Sequence, residues 1–134
     1  MSSTSVRETV RVIDSALPSP ELPIVEGAGT AKAVLWPGNG AITRTFQVID
    51  LGAGARTIML KHPSDAVYYV VGGAASVVDA ATGQSQDLRE GAMVHIDAGD
   101  GYRLANAGTE ACRIIGGPCP PDPALYAHLQ NGKA

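Results

Sequence analysis

The chain has 134 residues, of which 45% are hydrophobic, enough to build the core of one folded domain. Its formal charge of -3 and the lack of any Lys/Arg cluster argue against a nucleic-acid or anionic-membrane partner, so we expect a small-molecule ligand and a second copy of the chain. Its 16 glycines and 9 prolines predict an all-β protein with many turns. Cys112 and Cys119 form neither a disulfide framework nor a metal-clip spacing, and we expect reduced thiols.

The N-terminal residues predict an arm before the first sheet. Residues 1–8 are polar, with no apolar core for a signal peptide, and no run elsewhere is long enough to cross a bilayer, so we expect a cytoplasmic protein. Residues 6–13 alternate apolar and polar side chains and predict an edge strand. Residues 16–23 contain three prolines, which have no N–H to donate to a sheet, and they predict an extended connector.

Strand periodicity continues through the middle of the chain. Residues 30–36 predict a strand that ends at the turn signal of residues 37–40. Residues 42–51 predict the next strand, with Phe46 and Val48 on one face and Gln47 and Ile49 on the other. Further strands are predicted over residues 66–71, 76–78, 86–88, 93–97, 102–105 and 111–115.

The C-terminal residues predict an exit from the sheet and then a short helix. Residues 116–121 are glycines, prolines and one cysteine, which favour a rigid exit segment. Asp122, followed by a proline, predicts the N-cap of a helix that runs to about residue 130. Leu125 and Leu129 share a face that would dock this helix, and Gly132 stands where a helix stop is expected.

Four glycines and one asparagine recur at a fixed spacing between residues 54 and 106. Gly54 and Gly73 fit the pattern G-x5-H-x-H-x3,4-E-x6-G, and Gly91, Gly99 and Asn106 fit G-x5-P-x-G-x2-H-x3-N. In this spacing the sequence resembles the cupin superfamily, which implies an all-β, jelly-roll β-barrel, here with a short C-terminal helix. We divide the chain into an arm and connector (1–29), a barrel (30–117) and a tail with the helix (118–134). Such arms often cross to a second subunit in cupin-like proteins, which implies a homodimer.

The metal ligands of that family are mostly replaced in this chain. At the positions where cupins have His, His, Glu and His, the residues are Leu60, His62, Ala66 and Tyr102, and Asp97 replaces the proline of the second pattern. A single histidine does not hold a metal tightly, because a useful site needs three or more converging donors. We therefore predict no metal and no other cofactor.

His62 and Tyr102 are the main candidates for chemistry, since the resemblance points both toward the same interior space. An imidazole can move a proton and a phenol can donate a hydrogen bond to a bound oxygen, so we predict a catalytic acid–base pair. Tyr68, expected to face inward, is a third catalytic candidate. The alternatives are a histidine satisfied by a hydrogen bond, a tyrosine that fills the volume of a metal site, and plain core.

Three further residues are candidates for ligand binding. Arg56 shares a predicted strand face with His62 and could bind a carboxylate or phosphate, or lie at a solvated rim. His95 and Asp97 share another face. If that face lined the cavity, they could join His62 in a two-histidine, one-carboxylate set suited to Fe(II), Zn or Mn. The amphipathic pattern favours the solvent face instead.

Three functions remain open from the sequence. The first is a metal-independent isomerase, cyclase or lyase that acts on a small organic acid or carbonyl compound, with His62 as base and Tyr102 as acid or oxyanion donor. The second is a non-catalytic small-molecule-binding or accessory protein. The third is a metal-dependent oxygenase or lyase with an atypical ligand set.

Overall fold

The computed structural model describes residues 10–131, which form ten β-strands and one short α-helix. Two 3-10 turns cover Pro37–Asn39 and Pro123–Tyr126, and helix α1 covers Ala127–Asn131. The strands are β1 (Val25–Glu26), β2 (Gly29–Leu35), β3 (Phe46–Leu51), β4 (Arg56–Thr57), β5 (Asp65–Gly72), β6 (Ala75–Asp79), β7 (Ser85–Leu88), β8 (Met93–Ile96), β9 (Tyr102–Asn106) and β10 (Cys112–Cys119).

The strands form two five-stranded antiparallel sheets with the core between them. One sheet has the order β1-β4-β9-β6-β7 and the other has the order β2-β3-β10-β5-β8. This arrangement confirms the predicted cupin-like, all-β fold with a short C-terminal helix. Within the described residues no backbone ladder joins the two sheets, and side chains from both fill the space between them.

Strand β5 shows how the sequence directs side chains into this core. Ala66, Tyr68 and Val70 are each 1% exposed, whereas the alternate residues are exposed on the outer face, as their two-residue period predicts. Burial of each large apolar side chain contributes roughly 1.5–3 kcal/mol relative to leaving it in water. The inward and outward faces predicted for this strand are therefore confirmed.

The N-terminal segment differs from its prediction. The strand expected over residues 6–13 is wrong for residues 10–13, which form no strand, and residues 6–9 lie outside the described part. The proline-rich connector lies along β2 of its own chain. The Leu22 N–H donates to the Ala31 carbonyl at 2.7 Å, and the Pro20 carbonyl accepts from the Ala33 N–H at 2.8 Å. Leu22 is only 3% exposed.

Strands β3 and β10 have different bounds from those predicted. Strand β3 begins at Phe46, and β10 runs on to Cys119 instead of leaving the sheet at Gly116. Residues 117–119 stay in the sheet because they continue to pair with β5. Pro118 has no N–H to donate toward β3, so the ladder between β3 and β10 ends before it.

One extra residue lies between β4 and the point where the chain next meets β9. Arg56 pairs with Ala105, and Leu60 pairs with Tyr102. The chain therefore advances four residues from Arg56 to Leu60, while β9 advances only three between the two partners. Such a bulge reverses the direction of side chains beyond it. Thr57 and Leu60 are therefore buried, while Arg56 faces outward. The prediction that Arg56 shares a face with His62 is wrong for this reason.

The C-terminal segment follows its prediction closely. The carboxylate of Asp122 accepts from the Ala124 N–H at 3.0 Å and caps the turn, while Leu125 is buried and Leu129 packs against the core. Gly132, predicted as the helix stop, lies outside the described residues. Both cysteines are free thiols. No helix in the described range 10–131 is long and apolar enough to span a membrane.

Candidate active site between the sheets

Backbone contacts hold His62 and Tyr102 side by side. Leu60 and Tyr102 exchange two backbone hydrogen bonds of 2.7 and 2.8 Å, and the His62 carbonyl accepts from the Gly99 N–H at 2.8 Å. Tyr102 therefore begins β9 directly beside the segment that carries His62. Because the bulge reverses the direction of the side chains from Leu60 onward, the side chain of His62 points inward and is 4% exposed.

Four side chains form a continuous hydrogen-bonded chain in this interior. His62 Nδ1 lies 2.7 Å from Asp122 Oδ2, and His62 Nε2 lies 2.7 Å from the Tyr102 hydroxyl. The Tyr102 hydroxyl lies 2.5 Å from the Tyr68 hydroxyl. We refer to Asp122, His62, Tyr102 and Tyr68 as the relay.

The donors of the relay all point in one direction. Asp122 accepts as a carboxylate, so His62 carries its proton on Nδ1 and presents Nε2 as an acceptor. Tyr102 then donates to Nε2, and because it has only one proton, Tyr68 must donate to the Tyr102 oxygen. The oxygen of Tyr68 keeps lone pairs that can accept a proton from a further group.

Burial controls the ionisation of the two phenols. Tyr68 and Tyr102 are 1% and 2% exposed, and removal from water raises the pKa of each well above that of an exposed tyrosine. The hydrogen bond between Tyr68 and Tyr102 lowers the pKa of Tyr68 in part. Neither phenol holds a negative charge at neutral pH. Each can pass a proton on only if it receives another in the same step.

Asp122 is the member of the relay that the sequence prediction missed. Its capping role was visible from the proline that follows it, but its second oxygen meets a histidine 60 residues away. Ser64 supports this contact, since its hydroxyl donates to the Pro120 carbonyl at 2.7 Å and ties the exit segment to the His62 loop. No local pattern in the sequence could have indicated such a pairing.

None of the three predicted ligand-binding residues makes a hydrogen bond with the relay, although His95 and Asp97 line the cleft that reaches Tyr102. Arg56 is on the outer face and its Nε donates to Glu26 at 3.0 Å, with both side chains about half exposed. The side chains of His95 and Asp97 are 58% and 77% exposed on the solvent face that the amphipathic pattern favoured. Arg56 therefore cannot anchor a ligand beside His62.

The donor set does not fit the metal that cupins commonly hold. Both ring nitrogens of His62 are already engaged by Asp122 and Tyr102, and the two other ligand positions hold the buried apolar residues Leu60 and Ala66. No group of three His, Cys, Asp or Glu side chains suited to a metal occurs within residues 10–131. The set of His62, His95 and Asp97 considered from the sequence is accordingly not assembled.

A cleft of about 160 Å³ has one member of the relay, Tyr102, among its lining residues. It lies between the edge strands of the two sheets and reaches Tyr102. Asp79, Asp97 and Asp100 line it together with His95, and no Lys or Arg is among its lining residues. Carboxylates at a narrow entrance repel anions, so the cleft favours neutral or cationic molecules.

Comparison with known proteins agrees with this architecture. A predicted oxalate decarboxylase from Thermotoga maritima superposes with a TM-score of 0.69 at 19% identity, over 83% of this chain and 100% of that chain. The polyketide cyclase RemF from Streptomyces resistomycificus superposes with a TM-score of 0.65 at 16% identity, over 87% and 82% of the two chains. A putative ethanolamine utilization protein Q from Salmonella typhimurium gives 0.57 at 13% identity, over 70% and 71%.

Likenesses at these identities establish the fold alone. No curated protein sequence matches the chain. The model of the cupin domain family matches residues 47–116, which is more than half of the chain and contains both glycine-spaced patterns. With its fold, its spacing and this match in agreement, the chain belongs to the cupin domain family.

Proposed function

We propose that this cupin binds a small neutral carbonyl compound between its sheets and moves a proton on it without a metal, as an isomerase, cyclase or lyase. The relay carries this proposal, because its donors are aligned from Tyr68 through Tyr102 and His62 to Asp122. An aligned chain can deliver a proton to a base that is itself closed off from solvent.

The proposed step conserves protons and charge. A ligand O–H or activated C–H gives its proton to a tyrosine oxygen as that tyrosine gives its own proton along the relay to His62 Nε2. The imidazolium that forms faces the Asp122 carboxylate at 2.7 Å, which stabilises it. Return of the proton to another ligand atom completes an isomerisation, and its delivery to a leaving group completes an elimination. Because the raised pKa values of the phenols disfavour a free phenolate, each tyrosine gives up its proton only as it receives another.

The charge of the cleft narrows the ligand class. The sequence allowed either an organic acid or a carbonyl compound, with Arg56 as the anchor for an acid. Arg56 faces outward and pairs with Glu26, while three aspartates line the cleft. The proposal is therefore a neutral carbonyl compound. Two similar structures bear the names polyketide cyclase and predicted oxalate decarboxylase, and extension of such reactions to this chain is part of the proposal.

A non-catalytic binding protein is the second candidate, and one observation favours it. The members of the relay are buried, with exposures of 1% to 6%. A buried hydrogen-bonded chain can have the purely structural role of stabilising the core. The two candidates differ in turnover. Loss of the relay removes reaction from an enzyme, but from a binding protein it removes only stability or affinity.

Solvent-deuterium exchange tests the first candidate before the substrate is known. A panel of neutral β-diketones, β-keto esters and hydroxyketones is incubated with the protein in D2O, and proton NMR follows loss of the exchangeable C–H signals. We expect catalysed exchange for at least one compound and a loss of about 10²- to 10⁴-fold in His62→Gln and Tyr102→Phe. His128→Gln, at an exposed histidine of helix α1, is the control and keeps the activity. Equal rates in all variants would refute the acid–base role.

We also propose that a second copy covers the outer face of the sheet that contains β3, β10, β5 and β8. Phe46, Val67, Tyr69 and Met93 are 37% to 66% exposed there, beside a groove of about 430 Å³. Arg44 and Asp65 also line the groove. A two-fold axis over such a face can pair the arginine of one copy with the aspartate of the other, which argues for self-association.

A further inference from the structure

Three buried polar atoms have no hydrogen-bond partner within residues 10–131. They are Nε2 and Oε1 of Gln47 and the hydroxyl of Tyr126. Gln47 is 1% exposed and Tyr126 is 3% exposed. Buried polar groups are almost always paired, and an unpaired one costs roughly 1–3 kcal/mol. An apolar side chain of the same size would avoid this cost. We therefore expect the unpaired atoms of Gln47 and Tyr126 to bind a partner from outside residues 10–131.

The unpaired atoms gather at one place between the sheets. A Cβ on Gly117 would lie 3.2 Å from Gln47 Nε2 and 3.0 Å from the Thr45 hydroxyl. The Thr45 proton is already donated to the Pro118 carbonyl at 2.6 Å. Thr45 lies close enough to Tyr126 to lower the pKa of that phenol in part, but it does not satisfy hydrogen-bond geometry with it. Both distances are tight for a Cβ, so glycine at position 117 keeps a side chain from pressing on this amide.

Strand register connects this place with the relay. Gly116 of β10 pairs with Gln47 on one side and with Tyr68 on the other. Gln47 and Tyr68 are both buried. Because Gly116 has no side chain, β10 places nothing between the two inward groups. The amide of Gln47 therefore lies on the side of the interior where the relay begins.

We propose that Gln47 and Tyr126 hold the neutral planar polar group of a small molecule that is bound between the sheets. A primary amide offers an acceptor oxygen beside a donor nitrogen. Its complement is a group with a donor beside an acceptor, as in a lactam, a primary amide or a protonated carboxylic acid. A carboxylate ion does not fit, because it has no donor. The inference shares with the proposed function only the position of the ligand between the sheets, and it requires no proton transfer.

Titration with 2-pyrrolidinone tests this inference. This lactam has an N–H next to its C=O, and N-methyl-2-pyrrolidinone is the matched probe that lacks the donor. The side-chain amide signals of Gln47, assigned by their loss in Gln47→Met, are followed in ¹H–¹⁵N spectra of the full chain. We expect saturable shifts with 2-pyrrolidinone and binding at least about tenfold weaker for the N-methyl compound and for the Tyr126→Phe variant. Tyr69→Phe, on the outer face, is the control and binds as the wild type.

Three results would overturn the inference. The first is equal response to both probes, or none to either. The second is a persistent contact between the Gln47 amide and a long-lived water at saturating lactam, since the partner would then be solvent. The third is a lower Tm for Gln47→Met, because removal of an unpaired amide leaves Tm unchanged or raises it. In His62→Gln the lactam still binds, so failure of the proposed proton transfer would not be mistaken for failure of this site.

Discussion

Burial of three tyrosines makes the fold sensitive to alkali. Tyr68, Tyr102 and Tyr126 are 1% to 3% exposed, and burial raises the pKa of each. Above about pH 10 a phenol ionises in the unfolded chain, whereas Tyr68 and Tyr102 stay protonated in the fold and Tyr126 ionises there less readily. The unfolded state then binds fewer protons, so the free energy of unfolding falls as pH rises through this range.

The slope of that fall gives the size of the effect. Tyr68 and Tyr102 each lower the free energy of unfolding by about 1.4 kcal/mol per pH unit above about pH 10, or by about 3 kcal/mol per pH unit together, and Tyr126 adds to this fall. Tyr102→Phe removes one such phenol, so its slope is smaller by about 1.4 kcal/mol per pH unit. At neutral pH the same variant is less stable by roughly 1–3 kcal/mol, because His62 loses a hydrogen-bond donor.

Urea unfolding followed by circular dichroism at steps from about pH 9 to about pH 11.5 measures these slopes. Phenolate absorbance recorded in parallel should rise together with unfolding. Tyr69→Phe removes a hydroxyl from the outer face and serves as the control for loss of a phenol as such. Ionisation of Tyr68 or Tyr102 in a fully folded protein near pH 10 would contradict the burial of the relay.

Three further predictions address the relay, the metal and the assembly. Asp122→Asn should lower the free energy of unfolding by roughly 1–3 kcal/mol in urea titrations, because His62 loses its carboxylate partner. Asp97→Asn, at an exposed carboxylate, should change it by at most about 0.5 kcal/mol. Equal effects of the two substitutions would count against the pairing of Asp122 with His62. Elemental analysis of tag-free protein should find transition metal well below one equivalent, because the ligand positions are occupied by Leu60 and Ala66, and a stoichiometric metal would show that other donors are used. Val67→Asp should convert a dimer to a monomer in sedimentation velocity, and a wild type that is monomeric at high concentration would remove the basis for a dimer.

The sequence predicted much of the fold because its glycines and alternating strands are local signals. The spacing of Gly54, Gly73, Gly91 and Gly99 located the turns between strands, and the period of β5 placed Tyr68 inside and Tyr69 outside. Signals of this kind depend only on neighbours in the chain. They predicted most of the strands and the two faces of β5 correctly.

The parts that the sequence missed depend on contacts between distant residues. The bulge before Leu60 turned Arg56 outward, and a two-residue period carried across it gave the wrong face. Asp122 joins His62 only when the exit segment folds back over the sheet. Gln47 was correctly placed opposite Phe46 and Val48, but its lack of a partner is a property of the packed interior. Such features require the tertiary structure.

The direction of the relay can be measured directly by long-range ¹H–¹⁵N NMR of the His62 ring. The structure predicts that Nδ1 carries the proton, which Asp122 protects from exchange, and that Nε2 is the acceptor for Tyr102. Asp122→Asn should remove that protection, while Asp97→Asn should leave it. A His62 ring protonated only on Nε2 would reverse the donors of the relay and contradict the proposed path of the proton.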